Sequence, residues 1–454
     1  MHPVVETDLR AQTPRFDVVG WLTIWIVLLF GINARQVVPG FGAIGSPAML
    51  LALMAPLLWA AGWVLPRSGL SRDAHPMRAV LLLLNAYLVF SFAVATTRPL
   101  TPLETTGSLR ALLIDVSMVG IALLVADGVS DQRRLEVLLR RLVHGATFVA
   151  VVGIFQFFTN LPFDFTFPGL QWNASAFTIG TRSVFGRPAS TSMHPIEFSV
   201  VTAGLLPLAI HFAMHGRDVH QRRNATVATG LIALAVPMSI SRSGIVSIVV
   251  ALGVLGLGWN WAQRLRAAII AAIAVPVIWA SIPGLVGTIL SLFRSAGYDP
   301  SVQDRIARRP RMMALIRERP WFGLGNGTWS IEDYFLVDSE LYVSTLELGF
   351  VGIVLVLGVF VLGIIVALSI RSFEDVDEST RHLGLAIAAS IGSLSISVLT
   401  FDAFHYRQLL GSLFLLLGAA GALWRLNDLS ARAKARLRRP TSQIAPAGEH
   451  SEGR

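Results

Sequence analysis

Between Arg305 and Arg317 the chain carries Arg305, Arg308, Arg309, Arg311 and Arg317, and Arg319 follows two residues on. Guanidinium groups stay charged and form paired hydrogen bonds with phosphate or carboxylate oxygens, so such a cluster suits an anion. Arg305 and Arg309 are four residues apart and share one helical face, while Arg308 and Arg311 point elsewhere. An aromatic, glycine-rich turn comes next, WFGLGNG from Trp321 to Gly327, and then the acids Asp338 and Glu340. A carboxylate beside an acceptor hydroxyl can orient it or take its proton. Asp338 is the first candidate for that base and Glu340 the second. Acids favoured by the positive end of a helix are the plainer reading of the same pair. Tyr342, one turn past Asp338 on the same face, and Trp321 are candidate acceptor or glycan contacts.

Two other places hold polar chemistry. In the 161–195 segment Arg182 and Arg187 bracket Gly186, and His194-Pro195 opens a helix with Glu197 in its first turn. Its aromatics, among them Phe163, Phe165 and Trp172, suit a segment at headgroup level. Two readings stand: an interfacial loop with a capped helix, or an anion or sugar site at a helix N-terminus with His194 as a further catalytic candidate. Ser241-Arg242-Ser243-Gly244 joins two apolar runs with almost no loop and pins Arg242 at the membrane surface. Snorkelling accounts for it. So does a phosphate partner that offsets the desolvation. In the long arginine loop, Ser301 and Asp304 resemble a capping box for a short helix, 302–309, which Pro310 interrupts or restarts. The glycine turn has backbone amides free to meet an anion but lacks the Gly-Lys-Ser/Thr of a phosphate loop, so nucleotide binding is not supported.

The elements that must position these residues are membrane spans. Of 454 residues 54% are hydrophobic and 14% charged, more apolar surface than a soluble fold can cover. Apolar runs lie at about 18–36, 42–65, 77–97, 108–128, 139–160, 195–215, 224–240, 244–260, 266–292, 341–370, 382–400 and 407–425. The expected fold is an all-α polytopic membrane protein of about twelve helices, a single transmembrane domain over residues 1–425. Loop arginines such as Arg133, Arg134, Arg140, Arg141, Arg217, Arg222 and Arg223 put the N-terminus inside. The loops 161–193 and 294–338 then fall outside, the second against the positive-inside bias, with short helices expected in it. Arginines kept where topology disfavours them point to work done there. Residues 426–454 form a basic, Ser/Pro/Gly-rich tail expected to be disordered and cytoplasmic. The first apolar run begins near Val18 after a mixed-charge tail, without a cleavable signal pattern. No cysteine is present, which excludes disulfides, thiolate metal sites and cysteine nucleophiles. No compact set of metal ligands is expected.

Four features occur in order: the arginine-glycine segment leading into HPIEF, the SRSG junction, the arginines before PWFGLGNG, and the helix DSELYVSTLELGFVG. Together, over residues 182–355, they resemble the O-antigen ligase and O-antigen polymerase superfamily of bacterial envelope proteins. The resemblance implies a GT-C-like multispanning fold in the cytoplasmic (inner) membrane, with a large extracytoplasmic loop over a lipid-facing cavity. It implies a glycan carried on undecaprenyl pyrophosphate, a glycan or other hydroxyl acceptor, membrane lipids as neighbours, and no nucleotide, metal, cofactor or nucleic acid. Arg187, Arg242 and Arg305 match positions that hold the donor pyrophosphate, with Arg182 close to Arg187 and Arg309 beside Arg305. Asp338 stands where ligases carry a histidine, and Ser339 where an asparagine is common. That departure favours a polysaccharide polymerase, or a ligase to a different acceptor. A transporter or flippase of lipid-linked glycans also needs an outward cationic cavity and is the rival from another class.

Overall fold

The helices begin where the sequence supplies a short acceptor side chain. Asp131, Asp218 and Asn260 accept from the amides of Arg134, Gln221 and Gln263 at 2.8–2.9 Å, satisfying donors that a helix N-terminus leaves open. Thr101 and Glu104 form a reciprocal capping box, and the imidazoles of His75 and His194 cap two further helices that start at proline. The computed structural model describes residues 17–65, 69–162, 165–173, 181–182, 185–294, 297, 300–330, 333–335, 337 and 339–438. Within them the order is α1 (Val18–Gly31), α2 (Pro47–Ala52), α3 (Met54–Val64), α4 (Pro76–Ala95), α5 (Pro102–Gly128), α6 (Gln132–Thr159), α7 (Pro195–His215) and α8 (Val219–Met238). Then follow α9 (Arg242–Gly258), α10 (Trp261–Ser281), α11 (Leu285–Arg294), α12 (Pro300–Glu318), α13 (Glu340–Ser369), α14 (Glu378–Ser395) and α15 (Arg407–Arg438). The fold is all-α. The described strands are four two-residue pieces: β1 (Gln36–Val37) pairs with β2 (Gln171–Trp172), and β3 (Thr181–Arg182) with β4 (Phe185–Gly186), both antiparallel.

Nine spans among the described residues are long and apolar enough to cross a membrane, and Val18–Gly31, Arg242–Gly258 and Leu285–Arg294 are shorter apolar helices. One cluster of buried side chains, with Trp25, Phe30, Phe198 and Phe401 at its centre, joins most of them. Helices α7, α14 and α15 lie inside and bury most of their apolar windows. Helix α10 buries none of its side chains and leaves Ile269, Ile270, Ile273 and Trp279 exposed. In hydrocarbon such exposure costs nothing, because lipid tails are as apolar as leucine.

Two local expectations change. Helix α12 runs unbroken from Pro300 to Glu318, so Ser301 lies inside it rather than at a cap and Pro310 does not interrupt it. Proline removes one amide from the ladder. The helix continues because Met312 and Ile316 bury themselves against Val337, Val343 and Leu346, anchoring its second half on α13. At the other end of the chain, α15 extends to Arg438, well past Arg425.

Candidate functional site

Helices α4, α5, α13 and α15 converge around a cavity of about 100 Å³, room for several water molecules. Its polar lining comes from Arg110 and Asp115 on α5, Glu340, Ser344 and Glu347 on α13, Asn326 from the glycine turn, and His405 and Arg407 at the head of α15. Positions 340, 344 and 347 face the cavity together because spacings of four and three keep side chains on one helical face. Glu340 is 3% exposed. Its Oε1 accepts from Ser344 Oγ at 2.5 Å and its Oε2 from the Phe404 amide at 2.9 Å. An Asp402 carboxylate oxygen lies within 4.8 Å of the same side chain, and Asp402 Oδ1 lies 2.9 Å from His405 Nδ1.

The glycine turn builds the wall of this cavity. Leu324 and Gly325 donate their amides to the carbonyls of Leu346 and Glu347 at 2.9 Å, Asn326 N donates to Ser91 Oγ, and Trp329 N to Glu347 Oε1 at 2.8 Å. The Asn326 side chain donates to Asp115 Oδ2 at 2.7 Å. The expectation of free amides is therefore corrected: these are spent on helices α4 and α13, and the turn frames the cavity instead of binding an anion through its backbone. Glycine is required at the seam. Gly349 takes φ 68° inside α13, and a Cβ there would stand 2.2 Å from the Trp321 carbonyl. Gly325 takes φ 105°, with a Cβ placed 2.3 Å from that of Ala95.

A second polar group gathers at the start of α7. Glu197 accepts from Met193 N and Gln408 N, both at 2.7 Å, and so staples α7 to α15 with both oxygens engaged. Arg35 donates to the Met193 carbonyl from Nε and Nη2, and Gln408 reaches Leu29, Thr191 and Ser192. His194 Nδ1 accepts from the Ile196 amide at 3.2 Å, which leaves the ring proton on Nε2. Burial, then the charges of Arg187 and Arg35, lower its pKa to about 4. At neutral pH His194 thus offers an N–H donor and is poorly placed to act as a base. Backbone strain marks both approaches to this group: Ser190 takes φ 57° and the β-branched Ile240 φ 49°, just before Arg242.

The expected site residues divide among these surroundings. Glu340 lines the cavity, and Arg187 lies close enough to His194 to shift its titration. Arg242 opens α9, where Gly244 packs on Ser199 of α7. Tyr342 packs towards the Met312 and Ile316 cluster, and Trp321 is 65% exposed; neither lines the cavity. Arg309 is exposed on α12. Asp338 lies outside the described residues, as do the side chains of Arg182 and Arg305. Arg110, Asp115, Glu347, Asp402, His405 and Arg407 were not anticipated. Four of them had a signal: Arg110, Asp115 and Glu347 sit within apolar runs and Arg407 heads one, where an ionisable group is costly and marks function.

Among the described residues two compact ligand sets also replace the expectation of none: Glu340–Asp402–His405, and His211–His215–His382, each with ligand atoms within 4.8 Å of one another. In the histidine set Trp259 Nε1 donates to His382 Nε2 at 3.1 Å, which puts the His382 proton on Nδ1, 3.1 Å from His211 Nδ1. His211 and His382 are thus paired without a cation, and a metal on His382 Nδ1 would have to displace the shared proton, whereas His215 Nδ1 is buried with no hydrogen-bond partner.

The glycine turn, α12 and part of the cavity lining lie within the stretch that a family comparison matches. Residues 227–366 match the family model for O-antigen ligase. That stretch, less than a third of the chain, is what is similar to the O-antigen ligase family, and it lies in a chain whose described residues hold nine helices long and apolar enough to cross a membrane. The matched segment takes in Arg242, all of α12, the glycine turn, Glu340 and Glu347. It leaves out α5, α7 and the head of α15, which complete the cavity and the His194 group. No curated protein matches the chain.

Proposed function

We propose that this protein transfers a glycan from undecaprenyl pyrophosphate to a hydroxyl acceptor at the outer face of the cytoplasmic membrane. Polymerisation of a surface polysaccharide is the leading form, and ligation to another acceptor the second. The observation that carries this reading is the cavity, which sets carboxylates (Asp115, Glu340, Glu347) beside arginines (Arg110, Arg407). The proposed topology has twelve crossings in a GT-C-like arrangement, formed by the nine apolar spans together with α1, α8 and α9, with both termini cytoplasmic.

The chemistry needs little equipment. The acceptor oxygen bonds to the anomeric carbon, the bond from that carbon to the pyrophosphate oxygen breaks, and its electron pair leaves on undecaprenyl pyrophosphate. Fixed guanidiniums stabilise the charge that develops on the leaving oxygens. Arg187, Arg242 and Arg305 are proposed for that role, with Arg182, Arg309 and Arg407 as reserves. The acceptor proton goes to Glu340, with Asp338 two residues earlier as the other candidate base. Arginine charge makes the transfer metal-independent in this reading.

The test is purified protein with undecaprenyl-pyrophosphate-linked oligosaccharide in detergent, without nucleotide, with and without EDTA. Release of undecaprenyl pyrophosphate and lengthened glycans are expected in both. Activity lost in EDTA and restored by a divalent cation would assign Glu340–Asp402–His405 to a metal instead. An intact donor that moves across proteoliposomes would make the protein a transporter.

A further inference from the structure

Three histidines meet at the C-terminal end of α7, the end away from His194. His211 and His215 are one turn apart and share a face of α7, and His382 reaches them from the start of α14. The His211 ring lies 5.3 Å from each of the other two between centroids, and the His215 and His382 rings are 4.7 Å apart. Each histidine offers a ring nitrogen within 4.8 Å of the other two. Nδ1 of His211 and Nδ1 of His382 are 3.1 Å apart, close to the edge of about 3.3 Å between two imidazole nitrogens on a tetrahedral zinc ion. His215 Nδ1 is buried without a hydrogen-bond partner, a cost that a bond to a cation would remove. Two cations stand by the set: Arg140 lies over the Phe212 ring, and Arg371 donates to the Gly258 carbonyl beside Trp259. Neutral nitrogen ligands in such company do not suit Mg²⁺ or Ca²⁺, which take charged oxygen, and select an ion that gains from imidazole itself.

We propose that His211, His215 and His382 hold one divalent transition-metal ion of the zinc class, with water in the fourth position. The site is independent of the glycan-transfer reading: the rise of α7 from His194 to His211 sets it roughly 25 Å from the His194 group. Coordination leaves the proton count unchanged. His382 turns its Nδ1 lone pair to the ion and its ring proton moves to Nε2. Trp259 Nε1, which donates to that Nε2 at 3.1 Å, must then turn away, so the indole N–H competes with the ion for His382. His215, half-buried at the helix end, is the side from which an ion enters. Once bound, the ion cross-links the C-terminal end of α7 to the start of α14 and stabilises their contact.

The experiment uses the full chain, purified in detergent without a polyhistidine tag, stripped with EDTA and dialysed. Co²⁺ is the probe, read by its visible absorption, with Zn²⁺ as competitor and Mg²⁺ as control. The expected result is one Co²⁺ per chain with the strong absorption of a tetrahedral site, displaced by Zn²⁺ and untouched by Mg²⁺, and a melting temperature raised by Zn²⁺. His211→Ala and His382→Ala lose that Co²⁺, and Asp402→Asn, in the other ligand set, keeps it. Trp259→Phe removes the competing donor and binds Co²⁺ about 10-fold more tightly, a gain that misfolding would not produce. Wild type that binds no Co²⁺, or a Co²⁺ kept by His382→Ala and lost from Asp402→Asn, overturns the site. So does a Trp259→Phe protein of unchanged or weaker affinity.

Discussion

Helix α5 carries two aspartates that receive opposite treatment. Asp127, at its C-terminal end, accepts from His75 Nε2 at 2.7 Å, Arg78 Nε at 2.9 Å and Nη2 at 2.7 Å, and Trp59 Nε1 at 2.8 Å. Arg78 spends its remaining donors on the carbonyls of Ser71 and Arg72 and lies over the Trp63 ring. Asp115, twelve residues earlier and so roughly 18 Å away along the axis, takes one bond from Asn326 and turns towards a cavity with Arg110 and Arg407. A buried charge whose bonds all close within the protein fixes how helices meet. One left facing open space retains the capacity to bind or to exchange a proton. Burial alone does not separate the two; the balance of donors and acceptors does.

The comparison breaks first at Glu340. Glu340→Gln keeps the bonds from Ser344 and Phe404 within reach and removes the acid, so kcat should fall about 10²- to 10⁴-fold with membrane accumulation unchanged. Release of undecaprenyl pyrophosphate per folded molecule measures it. Normal turnover would move the base to Asp338. Asp127→Ala should do the reverse: it strands Arg78 in a buried site, costs about 3–5 kcal/mol of stability, and leaves the turnover of surviving protein intact. Thermal unfolding in detergent reads the first effect and specific activity the second.

His194 sharpens the contrast through pH. Its folded pKa of about 4 lies below the ordinary value near 6.5, so the unfolded chain binds the extra proton between those pH values. Stability from the neutral ring is full above about pH 6.5 and is lost as pH falls towards 4, by roughly 3 kcal/mol at the limit. From pH 7.5 to 4.5 the melting temperature of wild type should fall relative to that of His194→Gln, which lacks the titrating ring. A smaller effect is expected at the seam. Gly325→Ala forces a Cβ against Ala95 at a positive φ, costing about 1–3 kcal/mol. Because Asn326 then loses its hold on Asp115, acceptor KM should rise along with the loss of stability. A lower melting temperature with unchanged KM would show that the Asn326 bond frames the helices and does nothing for the cavity.

Much of the fold was legible because its cause is local. A run of about twenty apolar residues must satisfy its backbone within itself in hydrocarbon, so composition alone places the helices. The apolar runs at 77–97, 195–215, 341–370 and 382–400 fall on α4, α7, α13 and α14. Caps at Asp131, Asp218 and Asn260 are equally local. Glu340 was readable as an acid at the head of a span. Two local inferences failed where packing outweighed propensity, at Pro310 within α12 and at the amides of the glycine turn.

The cavity itself lay beyond any local rule. Asp115 and Arg407 are nearly three hundred residues apart in the chain and share one lining because α5 and α15 pack along each other. No spacing in the sequence encodes that meeting. Intramembrane charge could flag Arg110, Asp115, Glu347 and Arg407 as costly, yet it flags Asp127 equally. Only the tertiary structure decided which charges are closed off by donors and which face the open cavity. That choice depends on what each helix brings to its neighbour, whereas hydropathy reports only what each helix owes to the membrane.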